Sequence, residues 1–481
     1  MKRLSILFLL VVSCNKLDEN PDSIITVSQF YKTQSDAISA VSAVYSTLNT
    51  DAAGDFPMYG RNLNLLTCNG SDDQIFSPSN TNTDVRALGT TTYVPANDRI
   101  KKNWQQHYFG ISRANVAIDN IPNIDFDTTL RARLIREARF VRALLYFNIV
   151  RLWGDAPLIL HDPTSIDVNA QKVAKTSKDS LYAQIIADLT EATLLPSTYS
   201  GANIGRATSG AAHALLAKVY VTRRNWNSAL TEINTVINGG YGYDLFTNYS
   251  DAFQQATKNG KEHIFSVQFG TNLGAKNSTQ SLSSGNFSSF NTAVYPGDLP
   301  SDSTLYQLFT ENDTRRDVTF FTSLYNAATG KYVTFTPARL AKFIDYSISP
   351  LTNQAQSGIN FPVIRYADIL LLKAEVLNEI NGPTADAYAA INRVRSRAGI
   401  ADLTTGLNQS DFRDSVFLER RKEFIQEGMR WFDLTRRGGT YLYDALKKYP
   451  DKTGAAVKDT LFPIPQAERD INPLLTQNPG W

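Results

Sequence analysis

The side chains able to do chemistry are scattered along this chain. Its four histidines, His107, His161, His213 and His263, lie far apart, and no two have the spacing that places metal ligands on one helix face. His213, set among Ala212, Ala214 and Leu215, reads as a packed helix histidine. Gly330-Lys331 lacks both the preceding glycine and the following Ser or Thr of a phosphate-cradling loop. No serine sits in a nucleophile elbow. Asp72-Asp73 is a carboxylate pair, but glycosidic carboxylates must straddle a bond, which sequence neighbours need not do. A role in a loop, toward a cation or toward sugar hydroxyls, is the better reading. Acids and bases alternate from Glu419 to Arg437, with Phe424 and Ile425 interleaved. That pattern predicts a helix with a half-buried ion-pair network closed by Gly428, not a phosphate-binding arm. The chain reads as a non-enzyme with neither cofactor nor metal.

Binding chemistry is better supplied. Residues 51–97 hold Phe56, Tyr59, Arg61, Asp72, Asp73, Arg86, Tyr93 and Asn97, and a second stretch holds Phe287, Phe290, Asn291, Tyr295 and Asp298. Loops held on a rigid scaffold are where binding residues gather. The site is therefore expected where 51–97 meets the region around 285–300. Tyr59, Tyr93, Phe287 and Tyr295 are its stacking candidates. Asp72, Asp73, Arg86 and Asn291 are its hydrogen-bonding candidates. Trp104, Trp153, Trp226 and Trp431 fit packing patterns, and Trp481 lies at an end expected to be mobile, so any aromatic platform would be Tyr or Phe.

Those loops need a frame, and helical periodicity supplies one. The strongest stretch is Arg131 to Pro157, where Leu134, Ala138, Val141, Leu145, Ile149 and Leu152 make one stripe and Phe140, Leu144 and Phe147 a second. Two stripes mean helices on more than one side. Asp127 or Thr128 would cap its start, and Gly154 and Pro157 would end it. Helical pairs are read near 26–121, 129–195, 207–238 and 363–397, with irregular insertions at 51–97 and 239–360. The predicted class is mostly α: four tetratricopeptide-like pairs in a curved solenoid, with loop-rich insertions forming the ligand-binding side. Within the second insertion, His263–Phe269 and Lys331–Phe335 alternate like half-buried strands.

Residues 1–13 read as a signal peptide: Met1-Lys2-Arg3 and then an apolar run too short to span a bilayer as a helix. Ser13-Cys14 resembles a lipobox, making Cys14 a lipidation site and 14–25 a polar tether ahead of one domain over 26–481. The net charge of +2 has no basic block, which argues against nucleic acid. With only Cys68 besides Cys14, no internal disulfide framework is expected.

Several segments together resemble the SusD/RagB family of Bacteroidetes outer-membrane lipoproteins. They are Phe30-Tyr31-Lys32-Thr33 with Tyr45, Arg139-Phe140-Val141-Arg142-Ala143 through Gly154-Asp155-Ala156-Pro157, and Arg206-Ala207-Thr208. Further along come Arg365-Tyr366-Ala367-Asp368 through Glu375, Glu419-Arg420-Arg421-Lys422-Glu423 through Leu434, and Leu461-Phe462-Pro463-Ile464-Pro465. The resemblance implies a cell-surface, lipid-anchored protein that captures an oligosaccharide and passes it to a SusC-like TonB-dependent transporter without covalent chemistry. A peptide-binding RagB-like member, a tetratricopeptide adaptor that binds only protein, and a secreted hydrolase are the rival readings. The absence of a prominent tryptophan platform departs from glycan-binding members.

Overall fold

Asp127 accepts a hydrogen bond from the Leu130 backbone (2.7 Å) and caps the helix that periodicity marks most strongly. The computed structural model describes residues 27–50, 56–76, 80–163, 167, 169, 171–270, 297–326, 330–348 and 357–481. In chain order the main helices are α1 (Gln34–Asn49), α2 (Asp98–Asn120), α3 (Thr128–Trp153), α4 (Lys178–Ala192), α5 (Ser209–Thr222) and α6 (Trp226–Asn238). They continue with α7 (Tyr366–Asn381), α8 (Ala385–Arg397), α9 (Gln409–Glu423) and α10 (Arg430–Arg437). From Phe140 to Val150 every residue of α3 is buried. α2 and α4 both pack on α3, and α1 lies against α2 and α3. Arg142 ties three of these helices together, donating to both oxygens of Asp188 on α4 and to Asn115 on α2, each at 2.8 Å. Gly154 ends α3 at φ +72°, a backbone angle that favours glycine, with the Leu461 side chain packed over it. Helices α5 and α6 pack as a pair, α7 lies against α6 and α8, and α9 lies against α7.

Among the described residues, six strands form three separate antiparallel ladders. β1 (Ile75–Phe76) pairs with β3 (Gly297–Asp298), β2 (His263–Val267) with β6 (Phe361–Arg365), and β4 (Phe320–Asn326) with β5 (Lys331–Leu340). Two sequence expectations change here. β2 is buried along its whole length, not half-buried, because its ladder sits within the main core. The described residues of 51–97 are not an irregular surface loop: they include helical turns at Leu63–Thr67 and Thr83–Thr90 and the strand β1, and residues 58–76 are all buried. Their Asn, Ser and Asp side chains satisfy interior partners instead of water, as Asn64 does with the Gln426 carbonyl (3.0 Å). Trp481 is also held, not free: its indole donates to the Leu461 carbonyl (3.0 Å) and its ring stacks on Tyr93.

The expected charged helix is α9, continued by α10 after a turn in which Gly428 adopts φ +73°. The ion pairs at Glu423, Glu427 and Arg420 are fully buried, deeper than the half-burial expected, whereas Arg437 pairs with the exposed Asp414. Arg365, at the end of β6, contacts Glu262 beside β2, Glu423 on α9 and Glu427 in the turn (2.5 to 2.9 Å). Arg315 and Lys342, both from the second insertion, reach Glu423 (3.2 Å) and Glu427 (3.0 Å). One cluster thus fastens the insertion to the helices. Burial alone would raise the Glu423 carboxyl, but Arg397, Arg365 and Arg315 hold it well below the usual carboxylate range.

Candidate functional site

The ladder between β1 and β3 brings the two insertions together. Ile75 pairs with Asp298 and Phe76 with Gly297, so the segment after Asp73 lies directly against the segment after Tyr295. What positions β1 is the stretch just before it. Arg430 donates through Nε and Nη2 to the two oxygens of Asp72 (2.7 and 2.8 Å), and Arg421 donates through Nε to Asp73 (2.7 Å). The Lys452 ammonium bonds the carbonyls of Asn69 and Gln74 (2.7 and 2.8 Å). Two half-buried arginines and the buried Lys452 therefore clamp residues 69–74 from the far end of the chain. Burial would raise the Asp72 carboxyl, yet Arg421 and Arg430 overcome this and hold it well below the ordinary range. Burial dominates at Asp73 and the neighbouring Asp72 charge adds to it, so its carboxyl is raised despite Arg421 and Arg430. Burial likewise pulls the Lys452 ammonium down to about 7.

The expected site residues consequently divide. Asp72 and Asp73 are interior residues paired with Arg421 and Arg430, not groups turned toward a ligand. Tyr59 is buried, its ring beside Phe361 and its hydroxyl accepting from Asn148 (2.8 Å). Tyr93 is buried between Phe462 and Trp481 (ring centroids 5.2 Å each). Neither tyrosine presents a face to solvent, so both expected stacking roles are corrected to packing. Arg86 is partly exposed and donates to the Asn80 carbonyl. Phe287, Asn291 and Tyr295 lie outside the described residues, as does Cys14.

Beside the junction stands a feature that residue types alone did not single out. The β4–β5 hairpin rests its base, through Phe320, Ala338 and Leu340, in a small apolar cluster with Leu299, Leu305, Phe309 and Ile425, separate from the main core. Arg339 on β5 pairs with Asp298 on β3, joining the hairpin to the ladder. Toward the turn, Tyr325 and Tyr332 are directly opposed and exposed. The alternation already read in Lys331–Phe335 placed Tyr332 and Thr334 on one face, which was the available signal.

The chemistry of nucleophiles and metals is sparse by comparison. Among the described residues, no three His, Cys, Asp or Glu side chains converge as a metal site. Cys68 is buried, and that burial pushes its thiol up to about 12. His107 is bonded to the Asn103 carbonyl (2.6 Å), and burial pulls it down to about 4.

Fold and site together define a mostly helical binding scaffold with a loop-and-hairpin face held on by buried ion pairs. Comparison with known proteins gives that class a family. The family model described as "SusD family" matches residues 241–481, and one described as "Starch-binding associating with outer membrane" matches residues 17–221. The chain is 30% identical to SusD-like protein P2 of Formosa agariphila, over 99% of this chain and 98% of that one. Its fold superposes on the crystal structure of a SusD homolog from Bacteroides thetaiotaomicron with a TM-score of 0.80, at 26% identity, covering 95% of this chain and 98% of the other. A laminarin-binding SusD-like protein superposes with a TM-score of 0.77, again at 26% identity, over 94% of this chain and all of that one. The chain belongs to the SusD family, a group whose description places it at the outer membrane.

Proposed function

We propose that this protein is a cell-surface lipoprotein, anchored through an acylated Cys14 and the tether 14–25, that captures an oligosaccharide and delivers it to a SusC-like TonB-dependent transporter. The observation that carries this reading is the junction itself. Two insertions meet in the β1–β3 ladder, and an exposed aromatic hairpin stands beside it on a braced helical frame. Sugar recognition needs ring faces for the apolar side of a pyranose and fixed polar groups for its hydroxyls. The relative described as laminarin-binding supports a glycan as the ligand. Consecutive packing of the helices supports a tetratricopeptide-like solenoid as the frame. Binding without turnover fits the described carboxylates at the junction, which are committed to arginines.

The test is calorimetry on the full chain in mild detergent, with laminarin, starch and peptide fractions as titrants. Saturable binding of a glycan that is recovered uncleaved is expected. Binding of peptides alone would replace this reading with a RagB-like one, and glycan cleavage would make the protein a hydrolase.

A further inference from the structure

Tyr325 and Tyr332 are 53% and 73% exposed, although large apolar rings ordinarily gain by burial. A lone exposed ring needs no explanation, but two rings directly opposed on neighbouring strands make a continuous patch. Their centroids are 5.4 Å apart with ring planes at 63°. An edge-to-face contact uses one face of one ring, so the pair keeps other faces for a ligand. Thr322, Ser323, Thr334 and Thr336 are exposed along the same hairpin, and neither strand contains an Asp or Glu. Of its two cations, Arg339 is paired with Asp298 and Lys331 stands beside the turn. Rings flanked by hydroxyls suit the carbon–hydrogen face of a neutral pyranose and its rim of hydroxyls. A protein-docking patch of this size would instead be centred on well-packed apolar anchors with a polar rim.

Continuity fixes where this surface acts. The Arg339–Asp298 pair and the apolar cluster beneath the hairpin connect it to the ladder where the two insertions meet. We propose that the Tyr325–Tyr332 pair is a stacking subsite that holds a neutral glycan chain beside that ladder. This inference rests on the glycan-capture reading above and assigns part of its site to named residues. Because both rings are exposed and take no part in the ion pairs at Asp72 and Arg365, their loss should leave the frame intact.

The experiment compares the full-length wild type with Tyr325→Ala/Tyr332→Ala and Tyr325→Phe/Tyr332→Phe. Affinity electrophoresis through gels containing laminarin or soluble starch reads binding, and circular dichroism with thermal melting confirms folding. The Ala double variant should fold normally and bind the retained glycan about ten-fold or more weakly, whereas the Phe variant should stay within about three-fold, since ring faces persist. Undiminished binding by the folded Ala variant would overturn the subsite while leaving glycan capture in place. Unchanged glycan binding with loss of a co-purifying membrane protein would also overturn it, in favour of a protein contact. Failure of the wild type to bind either glycan, together with saturable binding of peptides, would overturn the capture reading and the subsite with it.

Discussion

Around Arg365, rings and charges are buried together; at the Tyr325–Tyr332 hairpin, rings are exposed and carboxylates are missing. In the first region Phe424 and Phe253 lie 4.9 and 5.4 Å from the guanidinium, while Glu262, Glu423 and Glu427 neutralise it. Burying such charges costs several kcal/mol per ion and is tolerated only with close pairing and satisfied hydrogen bonds. In the second region two rings face solvent with only each other as a described aromatic partner. The same residue types therefore serve opposite ends. Where aromatics cover a charge cluster they hold the insertion to the helices, and where they are left uncovered they are available to something outside the chain. Abundance of Tyr and Phe in a segment distinguishes neither case; burial does.

The strongest way to break the comparison is to disarm the buried side. Arg365→Met would leave Glu262, Glu423 and Glu427 short of a cation in a site closed to water. A loss of about 3–5 kcal/mol is expected, read by urea denaturation. Since the cluster also receives Arg315 and Lys342, unfolding should take the insertion and the helices together. A variant as stable as the wild type would show that the cluster is not what joins them.

Asp72 tests the clamp beneath the ladder. Asp72→Asn removes the charge that Arg421 and Arg430 face, and should cost about 1–3 kcal/mol near neutral pH. Its folded carboxyl is held below the unfolded value, so its contribution is complete above the ordinary carboxylate range near pH 4 and is lost as pH falls through the folded value. The stability gap between variant and wild type should narrow as pH drops below about 4. Denaturation curves at pH 7 and pH 3.5 check the sign. A gap that widens in acid would mean the carboxylate does not stabilise the fold through its charge.

How much of this was legible follows from the same contrast. The helix Thr128–Trp153 could be read almost to its ends, because its cap, its stripes and its terminating glycine are local signals. A meeting of residues 51–97 with the region around 285–300 was expected, and of that region the ladder pairs Gly297 and Asp298 with Phe76 and Ile75. The roles of individual residues were not legible. Asp72 and Asp73 look like loop chemistry until Arg421 and Arg430 are seen beside them, and those partners lie 348 and 358 residues away in sequence. Tyr93 seemed available for a ligand because nothing local marks the last residue of the chain, Trp481, as its stacking partner. Tyr332 was read only as part of a strand, since exposure of a strand face depends on what does or does not pack over it.

Two tyrosines sharpen the comparison furthest. Tyr93 is 3% exposed and stacked between Phe462 and Trp481, so Tyr93→Ala should open a cavity and cost about 3–5 kcal/mol, with release of the C-terminal tail. Limited proteolysis would report that release as earlier cleavage near Trp481. Tyr332 has the same side chain and occupies the opposite environment. Its stabilising contact is the cross-strand pair with Tyr325, worth about 0.2–1 kcal/mol, and truncation leaves no enclosed void. Tyr332→Ala should therefore lower stability by at most about 1 kcal/mol, read as a small shift of the urea midpoint with an unchanged slope. Were Tyr332→Ala to cost as much as Tyr93→Ala, the hairpin ring would be packed in solution, and the distinction between covered and available aromatics would fail at the residue chosen to represent it.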